Sequence, residues 1–274
     1  MYNQPAKALT DNRSASTKAY FENGLFSTGY ATHGLFPYRG KFHPQLIKAL
    51  INIIGIRKGE TILDPMCGSG TANIEAALIG INSYAIDLSP FCQFMTKVLK
   101  RYEDTVVNFI LNSSKYISDP GIVSILENAT AMETPLEDNS IDGVITSPPY
   151  SFAIDYVKND EAQLNFLGYD VNKIRSKMIG LIGKNKNERL KNYFKDMESV
   201  CSEVSRVLKK DKYFVMIIGS NTNQTGGVRL EGKMIESCKK HNLTLVKSIL
   251  KPIKGMRNTM KDEYILFFKK RCGK

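Results

Sequence analysis

Short apolar runs alternate with amphipathic segments along most of the chain, and this alternation predicts the fold. The apolar positions of Leu46–Ile54 have helical spacing, whereas the short runs Glu60–Asp64 and Ser83–Asp87 are typical of strands. Two further runs, Ile141–Thr146 and Tyr213–Ile218, are also predicted strands. The second is apolar throughout, which indicates a strand that is buried on both faces of a sheet.

The segments between these strands carry a helical pattern. Helices are predicted over about residues 71–78, from near Pro90, over about 191–208 and over about 231–240. Strands that alternate with helices favour a mostly parallel sheet with helices on both faces. We therefore expect an α/β, Rossmann-like fold.

The C-terminal pattern differs from the rest. Apolar runs at Leu243–Leu250 and Tyr264–Phe268 are joined without an obvious helix, which predicts an antiparallel hairpin at the sheet edge. Residues 1–30 are polar and lack periodicity, so we interpret them as a loosely ordered arm. Residues 31–274 are expected to form a single domain, with an insertion at about 151–192 over the face where the strands end.

Composition narrows the choice of partners. The 274 residues include 38 Lys and Arg against 27 Asp and Glu, a net charge of +11. This excess favours polyanionic partners, although a generally lysine-rich surface would give the same count. There is no apolar stretch of about eighteen residues and no apolar leader, so we expect a cytoplasmic protein without a membrane span. The five scattered cysteines and three histidines predict no metal site, and structural or capping roles are favoured for His33 and His43.

A glycine-rich turn is the first candidate site. The segment Asp64-Pro-Met-Cys-Gly-Ser-Gly-Thr71 lies where a predicted strand gives way to a helix. Its two glycines allow a ligand to approach the backbone closely. Asp64 could accept a hydrogen bond from an ammonium group, and Asp87, at the end of the next strand, could bind a ribose diol. No Lys-Ser or Lys-Thr pair follows the glycines, which argues against a nucleoside triphosphate loop.

The second candidate site is Ser147-Pro148-Pro149-Tyr150, at the end of a predicted strand. Its prolines cannot extend a strand ladder, so they predict a rigid turn with the Pro148 carbonyl facing the cleft. The exocyclic amino groups of nucleic-acid bases are weak nucleophiles. Two acceptors, Ser147 and the Pro148 carbonyl, could hold the amino hydrogens while the Tyr150 ring stacks on an extruded base. The alternative is an ordinary turn with a packed tyrosine.

Two neighbouring features each allow two interpretations. Asp155 and Tyr156 could line the pocket, whereas the alternative for Asp155 is that it caps a following helix. The basic residues from Arg175 to Lys191 are either a solvated surface or a face for nucleic acid. Cys67 lies in the glycine-rich turn without a neighbour that would activate its thiol. No Pro-Cys pair occupies the second site, which argues against cytosine-C5 chemistry.

Together these motifs resemble the amino-methyltransferases that act on DNA bases, the cytosine-N4 and adenine-N6 family of the Ser-Pro-Pro-Tyr type. Asp64–Thr71 is similar to the motif I of that family, and Ser147–Tyr150 to its catalytic tetrapeptide. The stretches Thr32–Gln45, Ala85–Pro90 and Ser147–Tyr156 are similar to one prokaryotic branch of DNA modification methylases.

The resemblance implies a class I methyltransferase fold, S-adenosylmethionine as cofactor, and DNA whose target base is flipped into the site. It implies cofactor contacts from Phe42, His43, Pro44, Asp64, Met66, Cys67, Gly68, Gly70, Thr71, Asp87, Leu88, Asn128 and Ala129. It implies catalytic roles for Ser147, Pro148, Pro149 and Tyr150. Asn128 departs from the acidic residue common in the family.

The serine in first place of the tetrapeptide resembles the cytosine-N4 enzymes, so cytosine N4 is the preferred target. The alternatives are adenine N6, an amino group of an RNA base or of a protein glutamine, and a catalytically silent nucleic-acid binder that kept the fold. We expect no large target-recognition domain of the kind found in the family, because only residues 151–192 and the C-terminal hairpin are left to read sequence. A homodimer, a partner subunit and a role in restriction-modification therefore stay open.

Overall fold

The structure is a computed structural model that describes residues 31–36, 38, 41–111, 120–150, 155–219, 225, 227–252 and 262–271. Within these ranges seven strands form one sheet. They are β1 (Thr61–Asp64), β2 (Asn82–Ala85), β3 (Val123–Ile125), β4 (Ile141–Thr146), β5 (Leu208–Gly219), β6 (Leu243–Pro252) and β7 (Asp262–Lys270). Their order is β3-β2-β1-β4-β5-β7-β6.

The first five strands pair in parallel, and β7 runs antiparallel to both of its neighbours. The predicted mostly parallel sheet and its C-terminal antiparallel hairpin are confirmed. The hairpin does not simply extend the edge, because β7 lies between β5 and β6. The last strand of the chain is therefore an inner strand of the sheet.

The helices follow the strands in the expected alternation. They are α1 (Pro44–Ile54), α2 (Thr71–Leu78), α3 (Pro90–Leu111), α4 (Tyr156–Asn159), α5 (Glu161–Phe166), α6 (Val171–Arg175), α7 (Lys186–Val207) and α8 (Leu230–Lys240). A single 3-10 turn, Ala31–Gly34, precedes α1. No helix in the described part of the chain is long and apolar enough to cross a membrane.

Two apolar layers cover the sheet, one on each face. Successive side chains of β5 alternate between them: Phe214 and Met216 pack on the side of α7 and α8, whereas Val215 and Ile217 pack on the side of α1 and α2. All four are at most 2% exposed. Burying a large apolar side chain contributes roughly 1.5–3 kcal/mol, so these layers fix β5 and the loops that follow the strands.

Several boundaries differ from the prediction. Helix α1 begins at Pro44 rather than Leu46, since proline is well accommodated in a first turn. Helix α7 begins at Lys186, five residues before the predicted start, because the Asn185 side chain accepts a hydrogen bond from the Glu188 amide and caps it. The range 151–192 thus holds three short helices and the first turns of α7. The predicted arm, residues 1–30, lies outside the described residues.

Candidate active site

A cavity of about 510 Å³ lies at the carboxyl ends of the parallel strands. The loops after β1, β2 and β4 contribute Gly68, Asp87 and Ser147 to its wall, and the β6–β7 hairpin contributes Lys251 and Glu263. Open α/β sheets bind ligands at this edge. The two candidate sites of the sequence therefore open into one space.

The glycine-rich turn after β1 cannot carry side chains at its two key positions. Gly68 and Gly70 have φ values of 53° and 73°, in the left-handed region. A Cβ atom at Gly68 would lie 3.0 Å from the Cε1 atom of Tyr38, and one at Gly70 would lie 2.6 Å from the Cγ2 atom of Thr96. The turn is therefore close-packed against Tyr38 and α3, and its backbone forms part of the cavity wall.

The two carboxylate oxygens of Asp64, the last residue of β1, differ in their hydrogen bonding. Its Oδ1 accepts hydrogen bonds from the Thr146 hydroxyl at 2.7 Å and the Met66 amide at 3.2 Å. Its Oδ2 is buried and has no hydrogen-bond partner among the described residues. Burial raises the pKa of Asp64 to about 7, against the effect of both hydrogen bonds. A cationic group would satisfy this oxygen and restore the charge of the carboxylate.

Asp87 and Asp160 place two carboxyl groups at the cavity wall. Asp87 lies two residues beyond β2 and accepts hydrogen bonds from the Gly68 amide at 2.9 Å and the Ser89 amide at 2.8 Å. Burial raises the pKa of Asp87 to about 6. Burial and the neighbouring Asp87 charge raise the pKa of Asp160 to about 6. Both side chains line the cavity, so its wall suits a positively charged ligand.

The turn after β4 begins a chain of hydrogen bonds. The Ser147 hydroxyl donates to the Tyr150 oxygen at 3.4 Å, and the Tyr150 hydroxyl donates to Glu263 Oε1 at 2.8 Å. The ammonium of Lys251 pairs with Glu263 Oε2. Burial and the adjacent Glu263 charge raise the pKa of Tyr150 well above its ordinary value, so its hydroxyl keeps its proton.

The predicted site residues divide between the cavity wall and the layer behind it. Those at the wall are Phe42, His43, Met66, Gly68, Asp87, Leu88, Ser147, Pro149 and Tyr150. Those that are buried outside the wall are Pro44, Asp64, Cys67, Gly70, Thr71, Ala129 and Pro148. Asn128 is exposed, and Thr130, Ala131 and Met132 line the cavity from this loop instead.

The interpretation of Asp155 as a helix cap is confirmed. Its side chain accepts a hydrogen bond from the Lys158 amide at 3.0 Å at the start of α4, and it also pairs with Arg175. The expected structural role of His33 is confirmed as well, because its Nε2 lies 2.8 Å from the buried carboxylate of Glu75. Arg175 is therefore tied to the protein rather than displayed as part of a free basic surface.

At neutral pH, His43 is an uncharged imidazole and the buried Cys67 and Cys92 are thiols. His43 occupies the N-cap position of α1 without a capping hydrogen bond from its side chain. Burial and the Lys251 charge lower its pKa. Burial, together with nearby carboxylates, raises the pKa of Cys67 and Cys92 well above the ordinary value, so both remain thiols. The part of the chain described by the structure contains no group of three or more His, Cys, Asp or Glu that could hold a metal ion.

Sequence reasoning missed four prominent wall residues: Tyr38, Asp160, Lys251 and Glu263. Tyr38 precedes α1, and its ring lies 6.3 Å from that of Tyr156. Neither Lys251 nor Glu263 belongs to a recognisable motif. Their position depends on the strand order, because only the insertion of β7 next to β5 places the start of β7 beside Tyr150.

Comparisons with known proteins agree with this geometry. The family described as "RMKL-like, methyltransferase domain" matches residues 35–213. The type II methyltransferase M.MjaII of Methanocaldococcus jannaschii is 42% identical over 72 residues, which are 26% of this chain and 13% of that protein. A probable tRNA (guanine(10)-N2)-dimethyltransferase of Methanothermococcus thermolithotrophicus is 29% identical over 128 residues, which are 45% of this chain and 71% of that protein.

A solved structure shows the same fold. Geranyl diphosphate C-methyltransferase from Streptomyces coelicolor, in complex with Mg²⁺, geranyl diphosphate and S-adenosyl-L-homocysteine, superimposes with a TM-score of 0.51. The match covers 84% of this chain and 78% of that one at 12% sequence identity. At this level of identity the likeness concerns the fold alone.

Proposed function

Because the chain belongs to the RMKL-like methyltransferase domain family and uses S-adenosylmethionine, we propose that it methylates the exocyclic amino group of a base in DNA, with cytosine N4 preferred. One observation carries this proposal. The acidic wall at Asp87 and the Ser147-Pro-Pro-Tyr150 turn face the same cavity, so a cationic methyl donor and a planar amine can meet there.

The residues present suit the cofactor. Asp64 has a buried carboxylate oxygen without a partner among the described residues, and Asp87 and the Gly68 backbone line the cavity together. We assign Asp64 to the ammonium end of S-adenosylmethionine and Asp87 to its ribose hydroxyls, with Gly68 allowing close approach. When bound, the cofactor supplies a methyl group on a positively charged sulfur. The negative charge of Asp87 at the cavity wall, and of Asp64 buried behind it, would favour binding of this cationic cofactor.

The turn after β4 orients the amine. Ser147 stands at the cavity wall and can accept one amino hydrogen, while the ring of Tyr150 offers a flat surface to the base. Holding the amino nitrogen opposite the methyl group lowers the entropic part of the barrier. Met178 and Ile179, from the segment between α6 and α7, line the same cavity and would exclude water around the base.

The surface next to the cavity suits a nucleic-acid strand. Phe166, at the end of α5, is 90% exposed and Tyr169 is 47% exposed. Helix α5 starts directly after Asp160, so Phe166 lies about 9 Å along the helix axis from the cavity wall. Lys173 and Lys177 are exposed nearby in sequence, and Lys177 lines the cavity. Exposed rings among lysines are typical of surfaces that stack bases and contact phosphates.

An amino group of an RNA base is the second candidate. The similarity to a probable tRNA (guanine(10)-N2)-dimethyltransferase supports this candidate, because the match covers 71% of that protein's length. The similarity to the type II methyltransferase M.MjaII supports the DNA proposal, but it covers only 13% of that protein's length. The same acceptor at Ser147 would serve either substrate.

The test is transfer of labelled methyl from S-adenosylmethionine to duplex DNA, single-stranded DNA and total RNA, followed by digestion to nucleosides and mass spectrometry. We expect N4-methylcytosine from DNA, and at least about tenfold less product from a Tyr150→Ala variant run in parallel. N6-methyladenine would keep the mechanism and change the target base. Label found only in RNA would refute DNA as the substrate, and absence of label from every nucleic acid would refute the proposal.

A further inference from the structure

We propose that Glu263 is a positioning residue that makes Ser147 a hydrogen-bond acceptor and thereby selects substrates that present an amino group. The inference rests on the proposed methylation of an amino group. Glu263 lies at the start of β7, remote in sequence from the Ser147-Pro-Pro-Tyr150 turn, and both line the cavity.

The direction of the hydrogen bonds follows from the chemistry of the last group in the chain. An ionised carboxylate can only accept, so the Tyr150 hydroxyl must donate to Glu263 Oε1, at 2.8 Å. Because the Tyr150 proton is used in this hydrogen bond, the Tyr150 oxygen can only accept from the Ser147 hydroxyl, at 3.4 Å. Ser147 has only one proton to donate. Its lone pairs are therefore left for a donor in the cavity.

Lys251 occupies the other oxygen at the end of this hydrogen-bond chain. Its ammonium pairs with Glu263 Oε2, and the two side chains are only 28% and 15% exposed. Oε1 of Glu263 is therefore the oxygen that accepts from the Tyr150 hydroxyl.

This arrangement discriminates between the edges of bases. An amino group donates hydrogens to Ser147 and is held, whereas a carbonyl oxygen at the same place would face lone pairs. Replacing the carboxylate by an amide removes the discrimination, because an amide can donate as well as accept. Glu263 would then act on specificity without touching the reacting atoms.

The experiment compares Glu263→Gln with wild type and with Glu60→Gln as a matched control. Glu60 also pairs with a lysine, Lys212, at 2.6 Å, but lies just before β1, at the opposite end of the sheet from the cavity. Single-turnover methylation rates are measured at saturating S-adenosylmethionine. Binding of the cofactor, and of oligonucleotides with cytosine or uracil at the target position, is measured separately.

We expect Glu263→Gln to slow methyl transfer by at least about tenfold, the ratio that about 1.4 kcal/mol produces. Cofactor affinity should change less than about twofold, and the preference for cytosine over uracil should fall. Glu60→Gln should match wild type in every measurement. An active wild type whose rate and base preference survive Glu263→Gln would overturn the role of Glu263 alone.

A second variant distinguishes the loss of the hydrogen-bond chain from a simple failure of Glu263→Gln to fold. Tyr150→Phe retains the ring and breaks the hydrogen-bond chain, so it should lose as much rate as Glu263→Gln. The double variant should be no slower than Tyr150→Phe, because the two residues act in one chain. Additive losses would overturn the proposal. A wild-type enzyme that methylates no amino group would overturn both this inference and the proposed function.

Discussion

Asp64→Asn replaces the buried carboxyl at the end of β1 by an amide of nearly the same shape. The pKa of Asp64 is about 7 in the folded protein, because burial outweighs the hydrogen bonds from Thr146 and Met66, and its ordinary value is 3.8. The carboxyl therefore holds its proton to a higher pH when the chain is folded. The resulting stability is fully present below about pH 4 and is lost as the pH rises through about 7.

The size of this loss follows from the two pKa values. Each pH unit between 3.8 and about 7 contributes about 1.4 kcal/mol, so the free energy of unfolding should fall by about 4 kcal/mol. The asparagine variant does not titrate and should lack this loss. Its buried amide hydrogens cost about 1–3 kcal/mol without acceptors. The variant should be less stable than wild type at pH 4 and more stable at pH 8.

The assay is urea unfolding of the cofactor-free protein at several pH values between 4 and 8. Asp142→Asn is the matched control, since Asp142 is also buried and lies in the neighbouring strand β4. Burial raises its pKa, but hydrogen bonds from Lys209 and the Thr61 amide, with the charge of Lys212, hold it below the ordinary value. Asp142 is therefore ionised in both the folded and the unfolded chain above about pH 5, and its variant should be less stable than wild type by a nearly constant amount from there to pH 8. A stability difference for Asp64→Asn that is flat across this range would refute the reasoning.

Four other outcomes are expected. Asp87→Ala should weaken S-adenosylmethionine binding at least about tenfold in calorimetry. The affinity of the wild type should fall as the pH drops below about 6, where Asp87 gains a proton. Unchanged affinity in the variant would exclude the ribose role of Asp87. Gly70→Ala should lower the free energy of unfolding by about 1–3 kcal/mol in urea, because φ is 73° and the new Cβ would meet Thr96, whereas Gly232→Ala, in open space on α8, should be neutral or stabilising by up to about 1 kcal/mol. Tyr150→Ala should reduce turnover at least about tenfold and keep cofactor affinity near wild type, and a fully active variant would contradict its stacking role. Raising salt from about 50 to about 200 mM should weaken nucleic-acid binding steeply in a titration, and a flat response would argue against phosphate contacts.

Local patterns were sufficient for much of the fold. The apolar runs predicted β1, β4 and β5 as strands, with β5 buried, and the motif Asp64–Thr71 lies at the junction of β1 and α2 as expected. The early start of α7 could also have been found, because Asn185 and Glu188 have the spacing of a capping box. These signals act within one turn or one strand, so a single sequence displays them.

The missed part of the site depends on contacts between distant elements. Glu263 reaches Tyr150 only because β7 pairs with β5, and nothing in the local sequence of a hairpin fixes which of its strands lies inward. Asp160 is at the wall because α5 packs beside α3, in a segment whose helices are too short to give clear periodicity. Burial creates the raised pKa of Asp64 and Asp87, and burial is a property of the assembled sheet.

The inner position of β7 bears on how the protein is made. Domains begin to fold during synthesis from the N-terminus, at a stage when β5 already exists and residues 262–270 do not. Until β7 arrives, β5 presents an unpaired edge that can join with other chains. A product that terminates before residue 262 would therefore be prone to aggregate, and its cavity would lack the wall that carries Glu263. Methyl transfer would then begin only after translation has passed β7, so that unfinished chains stay inactive.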